Sequence, residues 1–235
     1  MPTEEAVEDT TPTPHPNGRG DEPSCLIFAG GDMHSPPGLR SGGAWDLVIA
    51  ADSGYDHALQ LGISVDLLIG DLDSISAEAL RHAESSSVTV ERHPVDKDET
   101  DLELSIKAAI EQECASITIV GGEGGRISHL LAVATGLADE RWMATHIEWR
   151  TRTGILSVAT PQRPVTVTGV EGDTVSLLPV GAATGVSTEG LRWQLAEEDL
   201  PLGTPRGLSN EMLGIRATVT VGAGAVLVIQ EGTIE

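Results

Sequence analysis

Short apolar segments alternate with helical segments between residues 24 and 150, and no other feature of the sequence constrains the fold as strongly. The apolar segments predict strands at residues 25–29, 45–51, 66–69, 87–90 and 116–120. The helical segments lie at about 54–61, 76–84, 100–113 and 128–139. Continuous apolar strands that alternate with helices are typical of a parallel sheet covered on both faces. We therefore predict an α/β fold with a doubly wound, mostly parallel sheet.

The pattern changes near residue 150, beyond which no long helical period remains. Apolar runs punctuated by glycine predict further strands at 165–170, 174–178, 215–221 and 225–229. This spacing is typical of an antiparallel β-sandwich or barrel. We therefore predict two domains, an α/β domain at 24–150 and an all-β domain, an antiparallel β-sandwich, at 151–235.

Composition and charge narrow the class of partner. Residues 1–23 are rich in proline, threonine and acidic residues, and we expect them to form a disordered tail. The formal net charge of −22 disfavours nucleic acid or an anionic membrane as a partner. No apolar run approaches the roughly 20 residues of a membrane-spanning helix, and no signal-peptide pattern is present, so we expect a cytoplasmic protein. Cys25 and Cys114 are expected to be buried, reduced thiols.

Acidic residues follow three of the predicted strands, and glycines follow another. Asp52 comes after the second strand, Asp71 and Asp73 after the third, and Asp98 and Asp101 after the fourth. In an open parallel sheet, ligands bind at the carboxyl ends of the strands. We therefore expect these acids to converge at one edge of the sheet.

Asp71 and Asp73 would point to the same face if the strand conformation continued through them. Two buried carboxylates side by side repel each other unless a cation or a proton separates them. Mg²⁺ prefers one or two carboxylates together with substrate phosphates. Two surface acids on a loop are the alternative, but the apolar run 67–70 places the pair at a strand end and favours a metal site.

The segment from Lys97 to Asp101 leads into the third predicted helix. Thr100 and Glu103 have the spacing of a capping box, and the helix dipole stabilises acids at a helix start, so these residues have a structural explanation. Lys97 lacks one, because a cation near a helix N-terminus is unfavourable. A point charge for a phosphate explains this lysine better.

Glycines at 121, 122, 124 and 125 lead from the fifth predicted strand to Arg126. Successive glycines let the backbone approach a ligand closely, and the N-terminus of the following helix offers N–H groups to an anion. Arg126 would add a bidentate phosphate contact. The segment is neither the dinucleotide fingerprint nor a P-loop, and a tight turn is the alternative explanation.

Taken in order, these motifs resemble those of the thiamine pyrophosphokinases. The resemblance rests on residues 51–54, 70–74, 97–101 and 121–129, and continues in the all-β part with 187–195 and 207–211. It covers nearly all of the chain after the tail. It implies transfer of the pyrophosphoryl group of ATP to the hydroxyl of thiamine, with Mg²⁺, at the subunit interface of a homodimer.

The resemblance also implies roles for individual residues. Asp71, Asp73 and Asp101 are implied as metal ligands and, together with Asp98, as the catalytic acids. The residues implied to bind ATP are Asp52, Ser74, Lys97, Thr100, Gly122, Gly124, Gly125 and Arg126. The sequence leaves open whether Asp73 or Asp101 accepts the proton of the thiamine hydroxyl.

Three residues of the all-β part are implied as the thiamine site. Trp193 is expected to stack on the cationic thiazolium, since a cation is attracted to an aromatic face. Ser209 and Asn210 are expected to hydrogen-bond the aminopyrimidine. For Trp193, packing in the core of the β-sandwich is the alternative.

Ser128 departs from the family pattern, which usually has an aspartate there. Serine can cap a helix but supplies no carboxylate, and we expect the aspartate to be dispensable in this chain. The alternative functions are a related pyrophosphotransferase with another hydroxymethyl acceptor such as a pterin, a sugar-nucleotide glycosyltransferase, and a catalytically impaired thiamine-binding relative. The pterin enzyme would not keep Trp193 with Ser209 and Asn210, and the glycosyltransferase gives no reason for Lys97.

Overall fold

The computed structural model describes residues 22–32, residue 39 and residues 45–232. Residues 1–21 of the predicted tail lie outside the described residues. The first strands are β1 Ser24–Phe28, β2 Leu47–Ala51, β3 Leu67–Gly70, β4 Thr89–Arg92, β5 Ser116–Val120 and β6 His146–Arg150. The helices are α1 Gly54–Gln60, α2 Ala77–Ser85, α3 Asp101–Glu111 and α4 Ile127–Gly136, followed by a short 3-10 turn at Glu140–Trp142.

These six strands form a parallel sheet in the order β4-β3-β2-β1-β5-β6. The chain runs outward from β1 to β4 and then returns to place β5 on the other side of β1. The strand order therefore reverses between β1 and β5, and ligands bind at the carboxyl ends of the strands beside such a point. The predicted parallel sheet is confirmed.

Helices cover both faces of this sheet because successive side chains of a strand point to opposite faces. Ile27 of β1 packs in one core with Ile106 of α3 and with Leu137 at the end of α4. Its neighbour Phe28 packs in a second core with Tyr55 of α1 and residues of α2. The sheet is therefore doubly wound, as predicted.

The remaining strands are antiparallel and extend the same sheet. They are β7 Gly154–Ala159, β8 Val165–Thr168, β9 Thr174–Glu189, β10 Glu198–Leu200, β11 Asn210–Glu211, β12 Arg216–Thr220 and β13 Ala223–Glu231. Strand β7 pairs with β6, and β13, β9, β12 and β8 follow in that order. Hydrogen bonding between strands therefore continues across residue 150, near which the sequence predicts a boundary between two domains.

The all-β part closes around its own core through the long strand β9. The first half of β9 pairs with β13, and its second half pairs with β10 and β12. Gly181 and Gly185 have positive φ angles of 83° and 62°, which lets β9 change direction between its two sets of partners. Val175, Val186 and other residues of both halves pack in one cluster. The sequence predicted only residues 174–178 of this strand.

Cys25 and Cys114 are buried, free thiols that pack in the same core, as predicted. The adjacent thiol of Cys114, together with burial, raises the pKa of the Cys25 thiol. No helix within the described ranges is long and apolar enough to cross a membrane.

Candidate active site

A cavity of about 420 Å³ opens at the carboxyl ends of β1, β2 and β5, beside the point where the strand order reverses. Gly30 and Gly31 after β1, Asp52 after β2 and the glycine segment after β5 form its polar side. Helices α3 and α4 form the other side, which is largely apolar. The apolar lining residues are Leu102, Ile106, Ala132, Val133, Leu137 and Trp142.

Three carboxylates meet at the polar side of this cleft. Asp52, Asp71 and Asp101 each present an oxygen, and the three oxygens lie within 4.8 Å of one another. Asp52 adopts a positive φ of 48° just after β2, and its N–H donates to the carbonyl of Ile69. Gly70 leaves space for Asp52 and Asp101 to approach each other, because a Cβ at position 70 would lie 3.1 Å from Asp52 Cβ and 3.3 Å from Asp101 Cγ.

The electrostatics of this group fit a divalent cation. Oδ1 of Asp52 is buried without a hydrogen-bond partner among the described residues. Burial raises the pKa of the Asp52 carboxyl, the backbone N–H of Ser53 lowers it, and the charges of Asp101, Asp71 and Asp73 raise it further. Partly buried carboxylates that repel each other and lack donors are satisfied by a hard cation, and Mg²⁺ takes such oxygen ligands.

Asp73 does not belong to this group of three. Strand β3 ends at Gly70, and Leu72 turns the chain with a φ of 63° and a buried side chain. The N–H of Asp73 donates to Asp71 Oδ1 at 3.1 Å, and its own exposed carboxylate accepts from Ser74 Oγ at 2.7 Å. The expectation that Asp71 and Asp73 share a strand face is therefore wrong, because the extended conformation stops before them.

Lys97 lies among the acids of the cleft. Its Nζ is 2.9 Å from Asp101 Oδ1 and 3.9 Å from Asp71 Oδ2, and it donates to the carbonyl of Pro94 at 3.1 Å. The contact with Asp101 is an ion pair without hydrogen-bond alignment, since Asp101 Oδ1 has no hydrogen-bond partner among the described residues. The lysine side chain is only 13% exposed. Asp98 is exposed and lies outside the group of three carboxylates.

The start of α3 is fixed by the predicted capping box. Thr100 Oγ1 accepts from the N–H of Glu103, and the Glu103 carboxylate accepts from the N–H of Thr100 at 2.8 Å. Glu103 also forms an ion pair with Arg141 at 2.9 Å. Burial opposes ionisation of Glu103, but the hydrogen bonds from Thr100 and Arg141 outweigh it and lower the pKa of Glu103. The cap holds Asp101, the next residue, at the mouth of the cleft.

The glycine segment is attached to the rest of the sheet edge by hydrogen bonds, one of them from the N–H of Asp32 to the carbonyl of Glu123 at 2.7 Å. Gly122 N–H donates to the carbonyl of Gly30 at 2.6 Å, and Trp149 Nε1 donates to the carbonyl of Gly121 at 2.7 Å. The Glu123 carboxylate accepts from the N–H of Arg152 at 2.7 Å. Gly124 and Gly125 follow with positive φ angles and line the cleft.

Helix α4 begins directly after this segment. Arg126 is its N-cap and makes no side-chain cap, and the N–H of His129 donates to the carbonyl of Arg126 at 2.9 Å, so the N–H groups of Ile127 and Ser128 are the ones left for a ligand or solvent. Arg126 contacts Nε2 of His129 with its guanidinium group. Ser128 is exposed within the first turn and does not cap the helix, contrary to the role that the sequence suggested for it.

None of the three residues expected to bind thiamine lines this cleft. Trp193 is 46% exposed, which is inconsistent with the alternative of a core tryptophan. Ser209 has a φ of 51°, and its N–H donates to Ser176 Oγ. Asn210 is buried, and its side chain is hydrogen-bonded to the backbone of Trp193.

Two features of the site escaped the sequence analysis. Asp52 belongs to the carboxylate group together with Asp71 and Asp101, although it is not among the three residues named from the sequence as metal ligands. The apolar wall of α3 and α4 was not predicted to line a site. The sequence pattern of this wall is two pairs of apolar residues at helical spacing, Leu102 with Ile106 on α3 and Val133 with Leu137 on α4. The same pattern is typical of helices that pack in an ordinary core.

Comparison with known proteins identifies relatives of both parts of the chain. A family model described as "Thiamin pyrophosphokinase, catalytic domain" matches residues 43–147. A second, described as "Thiamin pyrophosphokinase, vitamin B1 binding domain", matches residues 156–226. Together the two models span most of the chain.

Individual relatives agree with these models. Thiamine pyrophosphokinase of Bacillus subtilis (strain 168) is 27% identical over 210 residues, which is 87% of this chain and 96% of that protein. The crystal structure of thiamin pyrophosphokinase from Geobacillus thermodenitrificans superposes with a TM-score of 0.75 at 25% identity, over 89% of this chain and 97% of that one. Thiamin pyrophosphokinase from Candida albicans shares the fold, with a TM-score of 0.76 at 14% identity over 90% of each chain.

Proposed function

The chain belongs to the thiamin pyrophosphokinase family, and we propose that it transfers the pyrophosphoryl group of ATP to the hydroxyl of thiamine, yielding thiamine diphosphate and AMP. The observation that carries this proposal is the group of Asp52, Asp71 and Asp101 beside a glycine segment at the reversal of strand order. Clustered carboxylates facing backbone N–H groups suit a metal-bound polyphosphate.

The triphosphate of ATP binds between the carboxylates and the start of α4. The first-turn N–H groups of α4 and the positive end of its dipole attract the phosphates. Arg126 and Lys97 add positive charge on either side. Gly122, Gly124 and Gly125 let the backbone come close, and the apolar wall of α3 and α4 is the surface available to the nucleoside.

Mg²⁺ would be held by Asp52, Asp71 and Asp101, with Asp73 in reach through water. When bound, the ion neutralises phosphate charge and holds the phosphates in line for transfer. The carboxylates would fix the position of the β-phosphorus only through that ion, since they repel phosphate directly, and Lys97 offsets the negative charge that develops on the AMP leaving group. Ser74 keeps the Asp73 carboxylate oriented through its hydroxyl, and Thr100 acts by holding Asp101 at the start of α3.

The reaction itself is an in-line displacement. The hydroxyl oxygen of thiamine bonds to the β-phosphorus, the bond from that phosphorus to the α,β-bridging oxygen breaks, and AMP leaves with that oxygen. The hydroxyl proton passes to a carboxylate, either Asp73 or Asp101. Asp73 is the more exposed of the two and accepts a hydrogen bond from the Ser74 hydroxyl, whereas Asp101 forms an ion pair with Lys97. Asp98 remains a candidate catalytic acid at the rim.

We infer a homodimer in which thiamine bound near Trp193 and Ser209 of one subunit meets the ATP cleft of the other. Two observations support it. The thiamine residues do not line the cleft of their own chain. Helix α4, which borders the cleft, also exposes large apolar side chains, with Ile127 75% and Leu131 58% exposed. Such a face is expected to be covered by another surface.

We propose that the two parts of the chain bind different substrates. Residues 24–150 would bind ATP and the metal, and residues 151–235 would bind thiamine. The gap between the two family matches, after residue 147 and before residue 156, supports a boundary near 150. We also infer a cytoplasmic location, because the reaction consumes ATP.

Incubation of the protein with ATP, Mg²⁺ and thiamine tests the proposal, with ³¹P NMR to identify the products. Thiamine diphosphate and AMP in equal amounts are expected. ADP with thiamine monophosphate would instead indicate transfer of a single phosphoryl group. Turnover with a hydroxymethyl pterin but not with thiamine would favour the other pyrophosphotransferase. Thiamine binding without any product would favour the impaired relative that Ser128 suggests.

A further inference from the structure

Trp193 lies at the top of a short arch, defined here as residues 191–195. The two ends of the arch are anchored in the core of the all-β part, since Leu191 and Leu195 are 0% and 2% exposed. The three residues between them are exposed. Leu195 is held further by its N–H, which donates to Thr188 Oγ1 at 2.9 Å. The arch therefore presents the indole of Trp193 to solvent on a fixed base.

Asn210 supports the arch from below. Its Oδ1 accepts from the N–H of Trp193 at 3.0 Å and from the N–H of Glu211 at 3.0 Å, and its Nδ2 donates to the carbonyl of Trp193 at 2.8 Å. One side chain thus holds both backbone polar groups of Trp193. Asn210 is 1% exposed, so its amide is turned into the protein and away from solvent.

A second contact fixes one face of the indole. The guanidinium carbon of Arg192 lies 5.0 Å from the ring centroid of Trp193. Arg192 is itself tied to Glu211, through an ion pair at 2.7 Å and through its N–H to the carbonyl of Glu211 at 2.9 Å. A cationic ring is attracted to an indole face, but not to a face already covered by a cation. Only the face opposite Arg192 is therefore suited to thiazolium.

We propose that Asn210 is a positioning residue that acts on thiamine only through Trp193, and that it does not contact the aminopyrimidine. This inference rests on the proposed function and replaces the ligand role expected for Asn210 with one inside the protein. A preorganised aromatic surface binds more tightly because the ring is not ordered at the moment of binding. Removing Asn210 is expected to loosen the arch and to weaken thiamine binding without affecting ATP.

A double-mutant cycle that measures kcat/KM for thiamine tests whether Asn210 acts through Trp193. Trp193→Ala is expected to lower kcat/KM for thiamine roughly 2- to 30-fold, the range of a cation–aromatic contact. Asn210→Ala should lower it by an equal or smaller factor and leave the KM for ATP unchanged. In the Trp193→Ala background, Asn210→Ala should then cause no further loss, because no ring remains to be positioned.

The order of the indole provides a second readout, by ¹⁹F NMR on protein labelled with 5-fluorotryptophan. Trp193→Phe identifies the resonance of Trp193, and Asn210→Ala should narrow and shift that resonance alone. Thr160→Val is the matched control, because Thr160 is equally buried and bonds to the backbone of Met143 and Arg163 away from the arch. It should change neither thiamine kcat/KM nor the Trp193 resonance.

Two results would overturn the inference. Effects of the single variants that multiply in the double variant would mean that Asn210 contacts thiamine directly, and an Asn210→Ala enzyme with unchanged thiamine kcat/KM would mean that it does not position Trp193. If Asn210→Ala does not fold, Asn210→Asp runs the same cycle, since it keeps the size of the side chain and loses the donor to the Trp193 carbonyl. Failure of the proposed function is separate, because the wild-type protein would then form no thiamine diphosphate.

Discussion

Three carboxylates within reach of one ion repel one another when that ion is absent, and single residues of this chain accommodate or reduce this repulsion. Gly70 creates the space in which Asp52 and Asp101 approach. Lys97 lies against Asp101 and close to Asp71, which offsets part of their repulsion. No such partner of Asp52 is found in the part of the chain that the structure describes, and its buried Oδ1 is the strongest sign that a ligand belongs there.

Replacing Lys97 tests whether this lysine contacts the phosphates of ATP. We expect Lys97→Gln to raise the KM for ATP about tenfold, since a charge-assisted contact to a phosphate contributes roughly 1.5 kcal/mol. Lys107→Gln is the matched control, because Lys107 is the only other lysine and is exposed on α3. Steady-state kinetics with varied ATP measures both. Equal KM values for the two variants would remove Lys97 from the phosphate site.

Replacing Asp52 tests the repulsion within the carboxylate group. Asp52→Asn removes a carboxylate that is partly buried among like charges, so we expect the metal-free protein to melt a few degrees higher than wild type. The rise in Tm that Mg²⁺ gives the wild-type protein should be lost. Glu171→Gln, at an exposed loop acid, should change neither value. A Mg²⁺ effect retained in Asp52→Asn would exclude Asp52 as a ligand.

At the scale of elements, the ends of strands and helices bring the site together. Asp52 directly follows β2, β3 ends in Gly70, β5 runs into the glycine segment, and α3 starts at Asp101. The capping box of Thr100 and Glu103 fixes where α3 begins, and thereby where Asp101 lies. Helix α4 has no side-chain cap at the same edge of the sheet, which leaves its first turn available to an anion.

The cap of α3 is therefore expected to matter for both stability and activity. Thr100→Ala should lower the free energy of unfolding by about 1 kcal/mol, as the loss of an N-cap does, and should reduce kcat because Asp101 is held less firmly. Urea unfolding and kinetics measure the two effects. Thr100→Ser keeps the capping oxygen and should restore both; a serine variant as impaired as the alanine variant would show that capping is not the role of Thr100.

The local sequence pattern was sufficient to predict the parallel sheet and the capping box. It was insufficient to predict turns of the chain and the pairing of strands that lie far apart in the sequence. Strand β6 was missed because only Ile147 and Trp149 face the core, while the residues between and around them are polar. The turn at Leu72 was missed because a left-handed leucine carries no sequence signal. Long-range pairing, which no local pattern encodes, extends β9 through Glu189 and lets Asn210 support Trp193.

At the scale of the whole molecule, the ATP cleft and the exposed Trp193 belong to different parts of one chain, and the proposed function requires them to meet. A second copy of the chain resolves this if α4 lies in the interface. The apolar side chains exposed on α4 next to the cleft are in the right place for such a contact. The strongly acidic chain would also repel a second copy unless apolar contact prevails locally.

Leu131→Asp tests the interface by placing a charge on the exposed face of α4. We expect the protein to change from a dimer to a monomer in analytical ultracentrifugation and to lose nearly all activity. Val170→Asp is the matched control, since Val170 is 64% exposed on a loop of the all-β part. It should leave the dimer intact. A Leu131→Asp protein that remains dimeric and active would place the interface elsewhere.

Sharing of the site between subunits has a separate test. Trp193→Ala and Asp101→Asn homodimers should each be impaired, whereas mixed dimers of the two variants should regain about half of one dimer's wild-type activity, because one of the two interface sites then has both residues intact. Activity is measured after mixing and subunit exchange. A mixture no more active than the average of its parents would assign both residues to the same subunit's site.

The central claim is that Asp52, Asp71 and Asp101 tolerate one another because a divalent ion and a triphosphate bind among them. The most direct measurement is anomalous diffraction from crystals grown with Mn²⁺ and a non-hydrolysable ATP analogue. We expect a strong anomalous peak bonded to oxygens of these three carboxylates and to the phosphates of the analogue, with the phosphates against the start of α4. Carboxylates turned away from one another, with the metal and phosphate density elsewhere, would contradict the claim.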